Sequence, residues 1–178
     1  MILDERNCRE EAILEATRAI MTAGRTAPKG KGLDLIEIIT LIGDDLHTLA
    51  EAMRRTSEET GLKFLIRDAE NIDASLAVIL VGTHSQTMSL NCGYCGYASC
   101  AEKALHTEVP CALNSVDVGI ALGSMAAKAA DLRLDTRIMF SAGYTAQKLG
   151  LLNGCRQILA MPLSISSKSP FFDRTSTR

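Results

Sequence analysis

The chain of 178 residues has no tryptophan, and its formal net charge is only −2. Without a basic stripe, and with a pI near 5.9, it lacks the electrostatic footprint of a nucleic-acid or membrane-surface binder. No apolar run reaches the roughly 18 residues that a membrane span needs. The N-terminal "MILDERNCREEAIL" is charged from residue 4 onward and has no apolar core or small-residue cleavage site, so it does not read as a secretory signal. The expected compartment is the cytoplasm. The three histidines, His47, His84 and His106, share no metal-like spacing. Ser-His-Asp order, paired-carboxylate motifs and a GxxxxGK[ST] phosphate loop are all missing. With no internal repeat and no low-complexity linker, the chain is expected to be one domain over 1–178. Its 47% hydrophobic content supplies a core that needs no disulfide framework.

What is present is cysteine, unevenly placed. Of six, four fall at Cys92, Cys95, Cys100 and Cys111, in the pattern C-x2-C-x4-C-x10-C. In a reducing compartment, clustered thiols more often bind metal than pair as disulfides. Four thiolates match a [4Fe–4S] cluster, with three ligands close together and the fourth at a distance. Gly93 and Gly96 each follow a cysteine, where glycine permits a sharp turn that aims N–H groups at sulfur. Tyr94 and Tyr97 are candidates to shield such a cluster. Three other readings stay open: structural zinc, a C-x-x-C redox pair in "CGYC", and unrelated buried thiols. Zinc more often uses two C-x2-C knuckles, and a redox pair needs neither Cys100 nor Cys111. Cys8 and Cys155 read as ordinary semi-buried thiols.

Periodicity predicts a helix over 8–23, with Ile13, Leu14, Thr17, Ile20 and Met21 on one face, an Asn7/Glu10 cap and Gly24 as its stop. A Gly/Pro loop follows, then a strand at 35–42. A second helix, capped by Asp44 or Asp45, ends at Gly61. "LAVILVG" (76–82) reads as a buried strand. A helix is predicted over 115–132, and strands over 137–142 and 157–163. The cysteine segment, 88–115, reads as an excursion from the domain.

"NCGYCGYASCAEKA" resembles the four-iron domain of the corrinoid iron–sulfur protein and of the electron-transport Rnf B subunit. The whole chain resembles a family of uncharacterised ferredoxin-domain proteins found mostly in anaerobes. That resemblance rests on "RTAPKGKGLD" (25–34), "NCGYCGYASC" (91–100), "VDVGIALGSMAAKAADL" (116–132) and "FFDR" (171–174). A weaker resemblance is to the FMN-dependent nitroreductase fold, carried by "TAGRTAPKGKG" (22–32), "VGIALGSMAAKAADLRLDTRIMF" (118–140) and "ILAMPLSISSKSPFFDR" (158–174). It implies an α+β fold, a mixed or antiparallel sheet flanked by helices, and an intertwined homodimer with FMN at the interface. The nitroreductase Arg-Ser-x-Arg and Asn-x-Gln-Pro-Trp stretches have no counterpart, and Lys29 stands where the serine would be. Function is therefore to be argued from the site.

Arg25, Lys29 and Lys31 surround a Gly/Pro loop. With Lys168 in the tail, Arg25 and Lys29 are candidates for an FMN phosphate, against the reading of a solvated basic turn. The small stripe Gly119, Gly123, Ala127 and Ala130 is expected to pack inside the domain or against a second copy. Phe171 and Phe172 need cover, either on their own domain or on a partner subunit, and the nitroreductase resemblance implies the partner. The leading expectation is an iron–sulfur electron-transfer protein, which with FMN would be an oxidoreductase of unstated substrate. Its partner would be a redox protein or a small electron carrier. The alternative is a non-catalytic protein whose metal, zinc or an inert cluster, is a structural clip.

Overall fold

The fold is that of a computed structural model, and the structure describes residues 1–172. The chain forms α1 (Arg9–Thr26), β1 (Ile36–Ile42), α2 (Asp44–Thr60), α3 (Phe64–Asp73), β2 (Ala77–His84), α4 (Cys100–Ala104), α5 (Ala112–Asp131), β3 (Asp135–Thr136), α6 (Phe140–Lys148) and β4 (Cys155–Ser164), with short 3-10 turns at Glu5–Asn7 and Gly30–Gly32. The four strands make one antiparallel sheet in the order β1-β2-β4-β3. The expected α+β class with helices flanking a sheet is therefore what this sequence folds into. No helix among the described residues is long and apolar enough to cross a membrane.

The period-two alternation of strand side chains divides the core between two faces of the sheet. Val78 and Leu80 of β2, Leu41 of β1, and Ile158 and Ala160 of β4 point to α2, α3 and α6. Ala77, Ile79 and Val81, with Ile36, Met161 and Leu163, point the other way, to α1 and α5. β2 is buried on both faces from Ala77 to Thr83, which explains its continuous apolar run. A fully buried Leu or Ile contributes about 1.5–3 kcal/mol, so this central strand anchors both layers.

Four local expectations are corrected. Gly24 does not stop α1, which continues to Thr26. A Cβ at Gly24 would lie 2.6 Å from Met125 Sδ, so this glycine lets α1 approach α5. The Asn7/Glu10 cap does not form either: Cys8 is the N-cap without a side-chain bond, and Asp4 instead accepts from Arg6 N–H at the preceding turn. Residues 137–142 are not a strand. Only Met139 bridges to Ala160, and the chain then turns into α6. Gly143 permits this, because a Cβ there would stand 2.0 Å from the Ile158 carbonyl oxygen. Finally, Phe171 docks on its own chain, 1% exposed, while Phe172 is 59% exposed. Asn71 Nδ2 donates to Pro170 O at 3.0 Å and ties this segment to α3. Asp173 and Arg174 of the FFDR stretch lie outside the described residues.

A buried carboxylate joins α3 to α6. Asp68 accepts from Arg137 Nη2 at 2.6 Å, from Arg67 Nη2 at 2.8 Å and from Ser141 Oγ at 2.5 Å.

Candidate metal centre

The cysteine segment begins where β2 leaves the sheet at His84. Four backbone carbonyls at and just beyond that point are met by side-chain donors. Asn114 of α5 supplies two, its Nδ2 donating to His84 O at 3.0 Å and to Gln86 O at 2.7 Å. Lys103 of α4 donates to Ser85 O at 2.5 Å. Lys31 donates to Met88 O at 3.0 Å. Lys31 is itself held in place by its neighbour Gly30, whose N–H donates to both carboxylate oxygens of Asp117, each at 3.0 Å. Met88 is 1% exposed and fills the space that a Cβ on Gly30 would take. The root of the excursion is therefore clamped by α4, α5 and the basic loop. Asn114 Oδ1 is buried with no hydrogen-bond partner among the described residues.

Beyond the root, residues 85–99 form no helix or strand. The backbone is left-handed at Ser89 (φ 54°), Asn91 (φ 48°), Gly93 (φ 72°) and Gly96 (φ 85°). Such alternation turns successive N–H groups toward one side, an arrangement that favours anions. The Asn91 N–H donates to Cys100 Sγ at 3.2 Å, and Cys100 N–H donates back to Asn91 Oδ1 at 2.8 Å. Cβ atoms built on Gly93 and Gly96 would meet nothing within 4 Å. α4 starts at Cys100 with a reciprocal cap: Glu102 N–H donates to Ser99 Oγ at 3.1 Å, and Glu102 Oε2 accepts from Ala98 N–H at 2.9 Å.

All six cysteines are free thiols. Cys92 is exposed, Cys95 and Cys100 are half-buried, and Cys111 is buried at the N-cap of α5. The positive end of a twenty-residue helix favours negative charge at Cys111. The structure brings Cys100 against the loop that carries Cys92 and Cys95. It does not draw the four sulfurs into one cage: among the described residues, no group of three or more His, Cys, Asp or Glu side chains is gathered as a metal ion would require. The chemistry of the donor set still fits a thiolate-ligated cluster, since the thiols are unpaired, one already accepts a backbone N–H, and open space surrounds the two glycines. Tyr94 is 76% exposed, and Tyr97 stacks on His106 with ring centroids 4.9 Å apart.

The other cysteines are placed as ordinary thiols. Cys155 is buried at the start of β4, and burial, helped by Glu37, pushes its thiol up to about 11. Cys8 is half-buried before α1.

The proposed phosphate donors are engaged within the chain. Lys29 Nζ caps the C-terminus of α1, donating to Gly24 O at 3.1 Å, Ala27 O at 2.8 Å and Arg25 O. Arg25 Nη1 donates to Asp34 Oδ2 and to Ile36 O, both at 2.7 Å. Burial works against the charge of Asp34, but the Arg25 guanidinium outweighs it and holds the carboxyl below its usual range. Lys168 is exposed after β4, where its carbonyl accepts from the Ser166 hydroxyl. Arg25 and Lys29 thus do not fit an outside phosphate as they stand. His84 Nδ1 lies 3.3 Å from Gly154 O and Nε2 lies 3.4 Å from Glu37, a strand-end arrangement.

Two cavities bear on function by position. One of about 480 Å³ is lined by Ile42, Gly43, Leu46, Ser75 and Leu76, at the start of β2. The cysteines leave from the other end of that strand, roughly 20 Å away at about 3.3 Å per residue. A second, of about 440 Å³, is lined by Pro110, Ser115, Phe140, Tyr144 and Arg156, on either side of Cys111 in sequence and across to α6. Sequence reasoning named the cysteines and glycines but missed Lys103, Asn114 and Asp117. The S-x-x-E signature at Ser99–Glu102 was a legible sign of α4.

Residues 107–174 match the family described as "Uncharacterized protein containing a ferredoxin domain (DUF2148)". Of the four clustered cysteines, this span includes Cys111. A protein of Archaeoglobus fulgidus, described only as uncharacterised, is 39% identical over 182 residues, covering 98% of each chain. Among solved structures, a nitroreductase with bound FMN from Bacteroides fragilis is similar with a TM-score of 0.61 at 12% identity, covering 92% of this chain and 83% of that one. A nitroreductase with bound FMN from Desulfitobacterium hafniense gives 0.58 at 14% identity, covering 94% and 81%. The hypothetical oxidoreductase YcnD of Bacillus subtilis gives 0.54 at 20% identity, and there the chain spans only 58% of its neighbour's length. At these identities the likeness concerns the fold.

Proposed function

The chain belongs to the family of uncharacterised proteins containing a ferredoxin domain, and from that premise we propose that it is an iron–sulfur electron-transfer protein on a nitroreductase-like scaffold. Cys92, Cys95, Cys100 and Cys111 are the proposed ligands of one [4Fe–4S] cluster. Such a cluster supplies storage for single electrons, at a potential set by charge, burial and hydrogen bonds to sulfur. The observation that carries the reading is the amide of Asn91 bonded to Cys100 Sγ, in a loop left-handed at residues 89, 91, 93 and 96. Gly93 and Gly96 let the loop fold its N–H groups toward sulfur. Asn114, Lys103 and Lys31 hold the root of the loop whose Cys92 and Cys95, with Cys100 and Cys111, would hold the iron. The groove beside Cys111, with Phe140 and Tyr144 on one wall, is the proposed approach for a redox partner or small electron carrier.

We place the protein in the cytoplasm, where thiols stay reduced. A homodimer belongs to the same proposal. Val116, Gly119, Ile120 and Gly123 form an exposed face of α5, and a Cβ built on either glycine would meet no other element within 4 Å among the described residues. FMN is the second cofactor to look for. Arg25, Lys29 and Lys168 would reach its phosphate only after Arg25 and Lys29 exchange their present partners, and no step is routed through it.

The test is anaerobic purification followed by iron, sulfide, zinc and flavin analysis, with each of the four cysteines changed to Ser in turn. About four irons per chain and broad absorption near ~400 nm are expected, with iron lost in every variant. A colourless protein holding a single zinc would replace this reading with the structural clip. Iron lost only from the first three variants would move the fourth ligand away from Cys111.

A further inference from the structure

Lys103 is 1% exposed and ranks among the largest fully buried side chains of the chain. Taking an ammonium out of water is costly unless an opposite charge meets it. Lys103 has no such partner: its Nζ bonds the Ser85 carbonyl, and no carboxylate lies within ion-pair distance among the described residues. A carbonyl dipole satisfies one of the three ammonium donors and neutralises none of its charge.

A tether at this place does not require charge. The carbonyls on either side of Ser85, those of His84 and Gln86, are held by the neutral amide of Asn114. The charge therefore needs its own reason, and its position offers one. Lys103 lies three residues after Cys100, on the same face of α4, and reaches the root of the loop that carries Cys92 and Cys95. A cluster ligated by four thiolates brings net negative charge to this place. We propose that Lys103 is a positioned counter-charge that favours the reduced form of the centre; the inference rests on the iron–sulfur reading above. Reduction by an external one-electron donor adds one negative charge among the sulfurs. A fixed cation nearby in a poorly solvated setting stabilises that added charge more than it stabilises the oxidised form. Lys103 is in this sense a tuning residue and not a catalytic one.

The experiment compares the full-length wild type with K103Q and K103M, all purified anaerobically. Iron and sulfide content is measured first, then the midpoint potential by dithionite titration followed optically. Gln can still donate to Ser85 O without a charge, whereas Met can do neither. The expected result is wild-type iron content in K103Q, with its reduction equilibrium constant lowered about tenfold, about 59 mV for a one-electron couple. A K103Q that keeps the wild-type potential overturns the inference, whatever K103M does, because a tether would then suffice. Loss of iron from both variants while the wild type retains it also overturns it, and assigns Lys103 to holding the loop. If only K103M loses iron or fails to fold, the potential of K103Q decides. A wild type without iron or sulfide is a separate result: it removes the iron–sulfur reading itself, and this inference with it.

Discussion

Changing Asp68 to Asn tests the central electrostatic joint of the fold. The Asp68 side chain is 5% exposed and that of Arg137 is 12%, so their contact is a buried ion pair. Removing one partner of such a pair costs about 3–5 kcal/mol, mostly because the other charge is left uncompensated. Asn keeps the shape and one acceptor oxygen, which places the expected loss near the low end, about 3 kcal/mol. The Arg67 arm is 44% exposed and adds little, about 0–1 kcal/mol. For a chain of this size the loss corresponds to a fall in Tm of roughly 6–12 °C. Urea unfolding followed by circular dichroism should show a lower midpoint at unchanged slope. Adding Arg137→Met to Asp68→Asn should restore part of the loss, since no unpaired charge then remains. Acid supplies a second readout. Burial works to raise the Asp68 carboxyl, but the hydrogen bonds from Ser141, Arg67 and Arg137, and the charge of Arg137, outweigh it and hold it below its usual range. A carboxylate lowered in the folded state stabilises the fold above the unfolded pKa, about 3.9, and loses that contribution as pH falls through the folded value. The gap between wild type and Asp68→Asn should stay constant from neutral pH down to about 5 and narrow below about 3.9. A loss under about 1 kcal/mol, or full additivity with Arg137→Met, would refute the reasoning.

Gly143→Ala places a Cβ 2.0 Å from a backbone oxygen of β4, so α6 must shift bodily and about 3 kcal/mol or more should be lost in urea melts. Gly24→Ala meets the flexible Met125 side chain at 2.6 Å and should cost about 1 kcal/mol, and equal costs at the two sites would contradict the packing argument. If the open face of α5 is a dimer seam, Gly123→Arg should convert a dimer to a monomer in light scattering with its circular dichroism unchanged. A monomeric wild type would sink that idea.

Elements with strong local patterning were legible in the sequence. β2 showed as an apolar run, α2 as an amphipathic stretch closed by Gly61, and α5 as a long small-residue helix. α3 was missed because nothing punctuates it: Ala74, in a right-handed conformation, ends it without the usual glycine. The run Arg137–Ala142 looked like a strand from β-branched and aromatic content. Its fate was decided by tertiary approach, since Gly143 lets a helix sit directly on β4. The same division holds at the site. Cysteine spacing and interleaved glycines are visible in a linear chain. The residues that hold the loop's root are single polar side chains, Lys103 in "CAEKA" and Asn114 in "CALNSV", which read as ordinary solvated positions. Only the fold shows that both are buried and that both face carbonyls released from the end of β2.

That arrangement separates two demands that the proposed cluster would place on one loop. A cluster ligand set has to be brought to nearly one geometry, yet it must open to admit iron and sulfide. Here the root is fixed by donors from three elements, Asn114, Lys103 and Lys31, each bonded to main chain rather than to a movable side chain. Cys100 and Cys111 sit at the starts of α4 and α5, so their backbones are set by the helices. Cys92 and Cys95 precede both in the irregular stretch, next to left-handed glycines that have open space around them. Two of the proposed ligands are thus placed by the scaffold and two are left on adjustable backbone, an order in which the proposed centre would close without disturbing the core.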